Sequence, residues 1–153
     1  MRRLLSSVVV FTVGAIVGIL LSASGSAQRA ERRYINVDRR PNAPYSQAVL
    51  AGDTLYLAGR TALDPKTGKV PADLEQEVRF ILDGMKAQIE AAGMTMDDLV
   101  SVQVFCPDLT LYDRFNAIYR TYFKGEMPAR AFIGSGPLLW GSRFEVQGIA
   151  VRR

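Results

Sequence analysis

Two amphipathic segments, each with a single apolar stripe, most limit what this chain can fold into. In residues 73–92 the apolar side chains recur at helical spacing, as Val78, Ile81, Leu82, Met85 and Ile89. Residues 110–122 show the same pattern with Leu111, Phe115, Ile118, Tyr119 and Tyr122. Asp73 is the expected N-cap of the first helix and Thr110 that of the second. A helix with one apolar stripe covers one side of a neighbouring layer. The chain therefore needs a second layer, which the other segments predict to be a β-sheet.

The segments around these two helices have the features of five or six short strands. Residues 46–51 and 54–59 flank a Gly-Asp pair that is typical of a tight hairpin turn. Residues 100–106 alternate apolar and polar side chains, as a strand with one apolar face does. Two further strands are expected in residues 127–134 and 143–151, joined by a turn rich in glycine and proline.

These elements predict one α/β (α+β) domain, a sheet with both helices packed on one face. The other sheet face must then be wet or be buried by another subunit. Three aromatic residues on the predicted strands favour a partner, namely Phe105, Phe132 and Phe144.

Residues 1–27 have the features of a segment that directs export. A basic start precedes an apolar run over residues 4–21, and Gly25 and Ala27 stand at the two positions of a small-residue cleavage site. The run also approaches the roughly 20 residues that a membrane-spanning helix needs. We therefore expect residues 1–27 to be a signal peptide or an N-terminal membrane anchor. The domain would then be exported, either periplasmic or attached to the membrane through residues 4–21.

Composition excludes several classes of site. The chain has no histidine and one cysteine, Cys106, so we expect no metal and no internal disulfide. The net charge is +4, and much of the positive charge falls in residues 28–40, which we interpret as a basic linker before a domain at residues 41–153. Because no patch of basic and aromatic residues follows that linker, we expect no nucleic-acid partner.

Two charged residues lie within apolar sequence in the last two predicted strands. Arg130 follows Ala129 and precedes Ala131 and Phe132, and Glu145 stands between Phe144 and Val146. A guanidinium binds a carboxylate through two parallel hydrogen bonds. A carboxylate in an apolar cleft can have a raised pKa and transfer protons. The alternatives are an internal salt bridge between Arg130 and Glu145, or two solvated charges at a sheet edge.

Five short motifs run in order from about residue 42 to the C-terminus. They are Pro44-Tyr45-Ser46-Gln47-Ala48, Leu63-Asp64-Pro65-Lys66-Thr67-Gly68, Glu90-Ala91-Ala92-Gly93, Phe115-Asn116-Ala117-Ile118-Tyr119, and Pro128-Ala129-Arg130 with Glu145 fifteen residues later. Their order and spacing resemble the RidA family, also called YjgF/YER057c/UK114. The resemblance implies a chorismate-mutase-like domain with a mixed β-sheet, assembled as a homotrimer with its ligand sites in the clefts between subunits.

The resemblance also implies an activity without metal or cofactor. RidA-like enzymes hydrolyse reactive enamines and imines to 2-keto acids and ammonia, as 2-iminobutanoate/2-iminopropanoate deaminases. Carried onto this chain, Arg130 is the clamp for the carboxylate of a small 2-imino or 2-keto acid. Glu145 is the acid/base that holds the water, Tyr45 lines the cleft and orients water, and Asn116 supports the site. Tyr45 could also be a half-buried strand aromatic, and Asn116 a helix-surface amide.

The chain departs from the family pattern in three places, two of which hold the expected substrate-binding residues Ala58, Arg60 and Phe132. Ala58 stands where these deaminases usually have serine, so a hydroxyl is lost, and Arg60 adds a positive charge two residues later. Phe132 replaces a cysteine, and its larger ring is expected to reshape the pocket. Trp140 in the following loop is either a pocket wall or a surface aromatic. These departures favour an alternative reading, a trimer that binds a small carboxylate without turning it over.

Overall fold

The computed structural model describes residues 31–39 and 41–153. The predicted signal peptide or anchor at residues 1–27 lies outside these described residues, and so do residues 28–30 of the predicted linker. Within the described part of the chain, no helix is both long and apolar enough to cross a membrane.

Six strands form one mixed sheet, which confirms the predicted α+β fold. The strands are β1 (Arg32–Ile35), β2 (Ala48–Ala51), β3 (Thr54–Arg60), β4 (Leu99–Cys106), β5 (Ala129–Gly134) and β6 (Glu145–Val151), and their spatial order is β1-β2-β3-β6-β4-β5. The β4–β5 pair is parallel and the other pairs are antiparallel. The two helices are α1 (Leu74–Ala91) and α2 (Tyr112–Tyr119).

Residues close together in the sequence determine the β2–β3 turn and the two ends of α1. Gly52 has φ of 60°, a conformation that glycine adopts without strain, and it closes the β2–β3 hairpin. Asp73 caps α1, because its side chain accepts a hydrogen bond of 2.8 Å from the backbone N–H of Gln76. Gly93, with φ of 77°, follows the end of that helix.

The start of α2 differs from the prediction. Thr110 does not cap the helix; its backbone N–H and hydroxyl donate to the side chain of Asp108, which caps a short 3-10 turn over Leu109–Leu111. The α-helix begins only at Tyr112. Asp108 therefore caps the 3-10 turn, and the α-helix that follows has no side-chain N-cap.

One predicted boundary and one predicted connection are also corrected. Part of the segment 28–40 is in the sheet, because Arg32–Ile35 pairs with β2 as an edge strand. The last two strands do not pair with each other as a hairpin: β4 lies between β5 and β6 and pairs with both. A loop that passes over the end of β4 thus separates the strands that carry Arg130 and Glu145.

The core fills the space between the two helices and one sheet face. Inward side chains of the strands, such as Leu55, Val104 and Val146, pack there against the apolar stripe of α1. Phe144 is fully buried and lies 4.9 Å from Phe115, measured between ring centroids. Phe144 therefore belongs to the core rather than to a partner surface.

The opposite sheet face carries no helix among the described residues. Tyr56 is 51% exposed on this face, and Phe105 and Ile149 are half-buried on it. Phe132 packs against Phe115 on the helix side. Of the three aromatic residues that were expected to favour a partner, only Phe105 therefore faces away from the helices. This partly apolar open face agrees with the expectation of a face that is wet or covered by another subunit.

A buried carboxylate attaches α1 to the segment that leads into β6. Glu77 is fully buried, and it accepts hydrogen bonds from the Ser142 hydroxyl at 3.0 Å and from the Arg143 backbone N–H at 2.6 Å. The Arg143 side chain also forms an ion pair with Glu77. Residues 142 and 143 immediately precede the strand that begins with Glu145. The Glu77 contacts therefore fix the position of the predicted catalytic carboxylate relative to α1.

Replacing Glu77 with alanine is expected to lower the free energy of unfolding by about 3 kcal/mol, because three donors lose their acceptor in a buried place. Glu75→Ala is the matched control: Glu75 pairs with Arg79 on the exposed side of the same helix. Loss of an exposed pair costs less than about 0.5 kcal/mol. Urea unfolding of both variants measures the difference, and equal losses would show that Glu77 does not hold the two elements together.

Candidate functional site

Several predicted site residues line one cavity of about 270 Å³, which lies at the C-terminal end of β3 and the start of β6. Tyr45, Ala58, Arg60 and Glu145 all contribute to its wall, and so does Trp140, which is 45% exposed at its mouth. The structure thus brings together the predicted acid/base, the predicted water-orienting tyrosine and two of the departures from the family pattern. Trp140 is a wall of this pocket.

An irregularity in β3 opens this cavity. Leu57 pairs with Gly148 and Arg60 pairs with Val146, so three steps along β3 match two along β6. The extra residue reverses the side-chain alternation. Arg60 therefore points to the helix side, although an uninterrupted strand would direct it to the open face.

Gly59 allows the Glu145 carboxylate to lie against this bulge. A Cβ at position 59 would come within 2.0 Å of the Glu145 Oε1 atom. Only glycine leaves room for this contact without moving the carboxylate. The sequence comparison had singled out the residues on both sides of Gly59 and not Gly59 itself.

Arg60 is bound within the chain by an acidic partner. Its Nη1 and Nη2 atoms donate to the two oxygens of Asp38 at 2.9 Å and 2.6 Å. Gln47 also donates to Asp38 at 2.5 Å, and its own side-chain oxygen accepts from the backbone N–H of Val37 and of Asp38. The extra positive charge predicted at position 60 is therefore matched by a carboxylate that sequence reasoning assigned to the linker.

The Arg60 guanidinium also sets the electrostatics of Asp38. The Arg60 hydrogen bond, aided by Gln47, holds the pKa of the Asp38 carboxyl below its ordinary value of 3.8, although partial burial opposes this shift. Asp38 is thus ionised at neutral pH, and the Arg60–Asp38 pair carries no net charge into the cavity.

Arg130 lies in a second cluster, beside aromatic rings of α2. Its guanidinium carbon is 4.7 Å from the ring centroid of Tyr119 and 5.7 Å from those of Tyr112 and Phe132. Among the described residues, no carboxylate lies within salt-bridge distance of Arg130. The predicted internal salt bridge with Glu145 is therefore absent from this part of the chain.

The other predicted residues of the Arg130 cluster come from β5 and α2. Phe132 packs edge-on against Tyr112 at 5.0 Å and against Phe115 at 5.6 Å, so its ring is held on the helix side. Asn116 is buried on α2, three residues before Tyr119, and is not a helix-surface amide. Burial raises the pKa of Tyr119 to about 12 although Arg130 acts against the shift, so the phenol under the guanidinium stays neutral.

Arg130 and Glu145 lie on opposite faces of the sheet. Arg130 pairs with the core residue Val102 of β4, whereas Glu145 pairs with Phe105, three positions further along the same strand. Side chains three positions apart on a strand point to opposite faces. Within one chain, therefore, Arg130 and Glu145 do not face the same space.

The described residues form a small α+β domain in which Arg130 lies beside aromatic rings on the helix side of the sheet, and a separate pocket is lined by Glu145. The family model described as Endoribonuclease L-PSP matches residues 37–152. The mouse 2-iminobutanoate/2-iminopropanoate deaminase is 37% identical over 124 residues, which are 79% of this chain and 92% of the mouse protein. The Escherichia coli K12 protein of the same name is 38% identical over 113 residues, 72% of this chain and 88% of that protein.

Solved structures give the same result. The YjgF gene product of Escherichia coli has a TM-score of 0.73 and 36% identity, and the match covers 79% of this chain and 99% of that one. Escherichia coli TdcF, solved with bound serine, has a TM-score of 0.73 and 31% identity over 79% of this chain and 99% of its own. The chain belongs to the Endoribonuclease L-PSP family, the RidA/YjgF family.

The Arg60–Asp38 pair predicts a pH dependence of stability. Because the folded-state pKa of Asp38 is below its ordinary value, the pair stabilises the fold above about pH 4 and ceases to do so as the pH falls through the folded-state pKa. The stability difference between the wild type and Asp38→Asn should therefore be constant near neutral pH and shrink on acidification.

Denaturant unfolding between about pH 7 and pH 3 measures this difference. Asp53→Asn, at an exposed turn, is the matched control, and its stability difference from the wild type should be small throughout. If the Asp38→Asn difference were the same at both ends of the pH range, the carboxylate of Asp38 would not be stabilised by Arg60.

Proposed function

We propose that this protein is a RidA-type deaminase that hydrolyses reactive 2-imino acids to 2-keto acids and ammonia. The observation that carries the proposal is Arg130, a half-buried guanidinium without a carboxylate partner among the described residues, which leaves its fork of donors available to a ligand. The relatives named 2-iminobutanoate/2-iminopropanoate deaminase support the choice of reaction.

The proposed chemistry needs one cation and one carboxylate. Arg130 binds the carboxylate of the imino acid and so fixes the orientation of the neighbouring C=N carbon. Glu145 accepts a proton from a water molecule as the water oxygen bonds to that carbon. The same carboxyl group returns that proton to nitrogen, which gives a carbinolamine. It then moves the hydroxyl proton to the amino group, the C–N bond breaks, and ammonia leaves while the carbon becomes the 2-keto group.

The remaining site residues support this chemistry from the same two clusters. Tyr45, 43% exposed at the cavity, offers a hydroxyl to orient the water. Asn116 and Phe132 form the surroundings of Arg130. Phe132 is in the edge strand β5, and its backbone N–H and C=O groups remain in that strand. Ala58 brings no hydroxyl, so the water must be held by Glu145 and Tyr45.

The complete site requires a second copy of the chain, because Arg130 and Glu145 of one copy lie on opposite sheet faces. We take the copies to form a homotrimer, in which the open sheet face and the β5 edge become internal. Each cleft then combines Arg130 of one subunit with the Glu145 cavity of the next.

The alternative is a trimer that binds small carboxylates without hydrolysing them. Ala58 favours it, because a hydroxyl that these deaminases usually carry is missing. The Phe132 ring packs against Tyr112 and Phe115 beside Arg130, so it limits the room around the clamp and not the Glu145 cavity of its own chain.

The activity is tested by following keto-acid formation from imines that an amino acid oxidase generates in situ. The wild type should accelerate it above the spontaneous rate. Arg130→Lys should lower kcat/KM about tenfold to a hundredfold, since an ammonium cannot reproduce the planar fork. The melting temperature should be nearly unchanged.

Arg114→Lys, on the exposed side of α2, is the matched control and should keep the wild-type rate. An unchanged kcat/KM in Arg130→Lys would exclude the clamp. If the wild type gave no acceleration with any imine but was stabilised by 2-keto acids in thermal unfolding, the binding protein would be the correct alternative.

Shared sites are tested by mixing two inactive variants, Arg130→Ala and Glu145→Gln. After unfolding and refolding together in equal amounts, each mixed trimer has one cleft built from two intact halves. Random assembly then restores about a quarter of the wild-type sites. The control is each variant refolded alone, which should stay inactive. No recovery in verified mixed trimers would show that Arg130 and Glu145 do not act in a common cleft.

A further inference from the structure

Two buried polar atoms beside the Glu145 cavity have no hydrogen-bond partner among residues 31–39 and 41–153. They are Nε of Arg60 and Oε1 of Gln88. Arg60 is 9% exposed and Gln88 is 2% exposed, yet both residues line the cavity. Since buried polar atoms are almost always paired, this donor and this acceptor point to a group that the cavity receives.

Arg60 packs against the face of α1 that carries Gln88. The Arg60 guanidinium lies against Gly84, where a Cβ would come within 1.9 Å of Nε. Gln88 follows Gly84 by four residues, so both lie on one face of the helix, one turn apart. The inner end of the cavity therefore presents a donor from β3 and an acceptor from α1.

The charge at this inner end is already matched. Asp38 accepts from both terminal nitrogens of Arg60, which fixes the guanidinium plane, and Nε is the guanidinium nitrogen left without a partner among the described residues. A second carboxylate here would meet the negative charge of Asp38 and would offer no proton to the Gln88 oxygen. A purely apolar group would leave both protein atoms unpaired. A neutral group with an acceptor and a donor satisfies both.

The approach to this inner end is apolar. Leu63, Leu139 and Trp140 line the same cavity, and Leu139 and Trp140 are the most exposed of the three. Methylene groups can pack against these side chains while a polar end reaches Arg60 and Gln88. The apolar approach and the polar inner end of the cavity thus match a short aliphatic chain that ends in a polar group.

We propose that this cavity receives the side chain of the substrate and favours 2-imino acids whose side chain ends in a carboxamide. The carbonyl oxygen accepts from Nε of Arg60, and the amide nitrogen donates to Oε1 of Gln88. This inference rests on the proposed deaminase function and adds a substrate class to it. Gln88 is then a specificity-determining residue, and Arg60 acts in specificity through Nε.

The test compares imines made in situ from glutamine, methionine and glutamate, which have side chains of similar length and different ends. The wild type should hydrolyse the glutamine imine with kcat/KM at least about tenfold above that of the other two, because they leave buried polar atoms unpaired or bring in a charge. Equal rates for the three would overturn the proposal, and would mean that water occupies the inner end.

A substitution at Gln88 tests whether this residue causes the preference for the carboxamide side chain. Gln88→Met keeps the length of the side chain and removes the acceptor, so it should bring the glutamine and methionine imines to within about threefold of each other. Gln76→Met makes the same change on the exposed side of α1 and should keep the wild-type ratio. A wild-type ratio in a folded Gln88→Met protein, checked by its melting temperature, would exclude Gln88 from the substrate contact.

Binding of the products separates this inference from the deaminase proposal. Calorimetry with the 2-keto acids of glutamine and methionine measures the same preference without turnover. If no imine is hydrolysed but the carboxamide keto acid binds more tightly, the deaminase proposal fails and the side-chain site stands. If imines are hydrolysed and neither rates nor binding distinguish the side chains, the side-chain site fails alone.

Discussion

The alternation of side chains along β4 is the constraint on which the rest of the structure depends. This strand pairs with both strands that carry the predicted catalytic residues, and its register places Arg130 beside a core residue and Glu145 beside Phe105 on the opposite face. Hydrogen bonding in the sheet makes this separation rigid. A site that uses both residues must therefore be built between copies of the chain, and the open sheet face is the surface that such assembly would cover.

Close contacts with glycine and one buried carboxylate then position the acid/base residue. Gly59 lets the Glu145 carboxylate approach the bulge in β3, and Glu77 holds the residues just before β6 against α1. Arg60 turns inward at the same bulge and binds Asp38. The cavity beside Glu145 thus results from one extra residue in a strand and from the ion pair that this residue makes possible.

The parts of the fold with local causes could be predicted from the sequence. The Gly52 turn, the Asp73 cap and the two apolar stripes depend on residues that are neighbours in the chain, and the structure confirms them. Strand order depends on contacts between distant segments, so the position of β4 between β5 and β6 could not be read from the pattern.

The first strand was missed for a physical reason. An edge strand with exposed Arg32, Arg33 and Tyr34 has no alternating apolar face, and its composition is that of a polar linker. For the site, family resemblance supplied the candidate residues and the structure supplied their grouping. The Asp38–Arg60 pair joins residues 22 positions apart, and only the inward turn of Arg60 at the bulge brings them together.

The contact between Arg60 and Gly84 has a consequence for how this sequence can change. Glycine inside a helix lowers its stability by roughly 0.5–1 kcal/mol relative to alanine, so α1 is weaker at this position than it need be. The guanidinium occupies the volume that a methyl group at position 84 would take. The two positions are therefore coupled: with arginine at 60, a side chain at 84 would displace the guanidinium from its place beside Asp38, whereas without that arginine alanine at 84 would strengthen the helix.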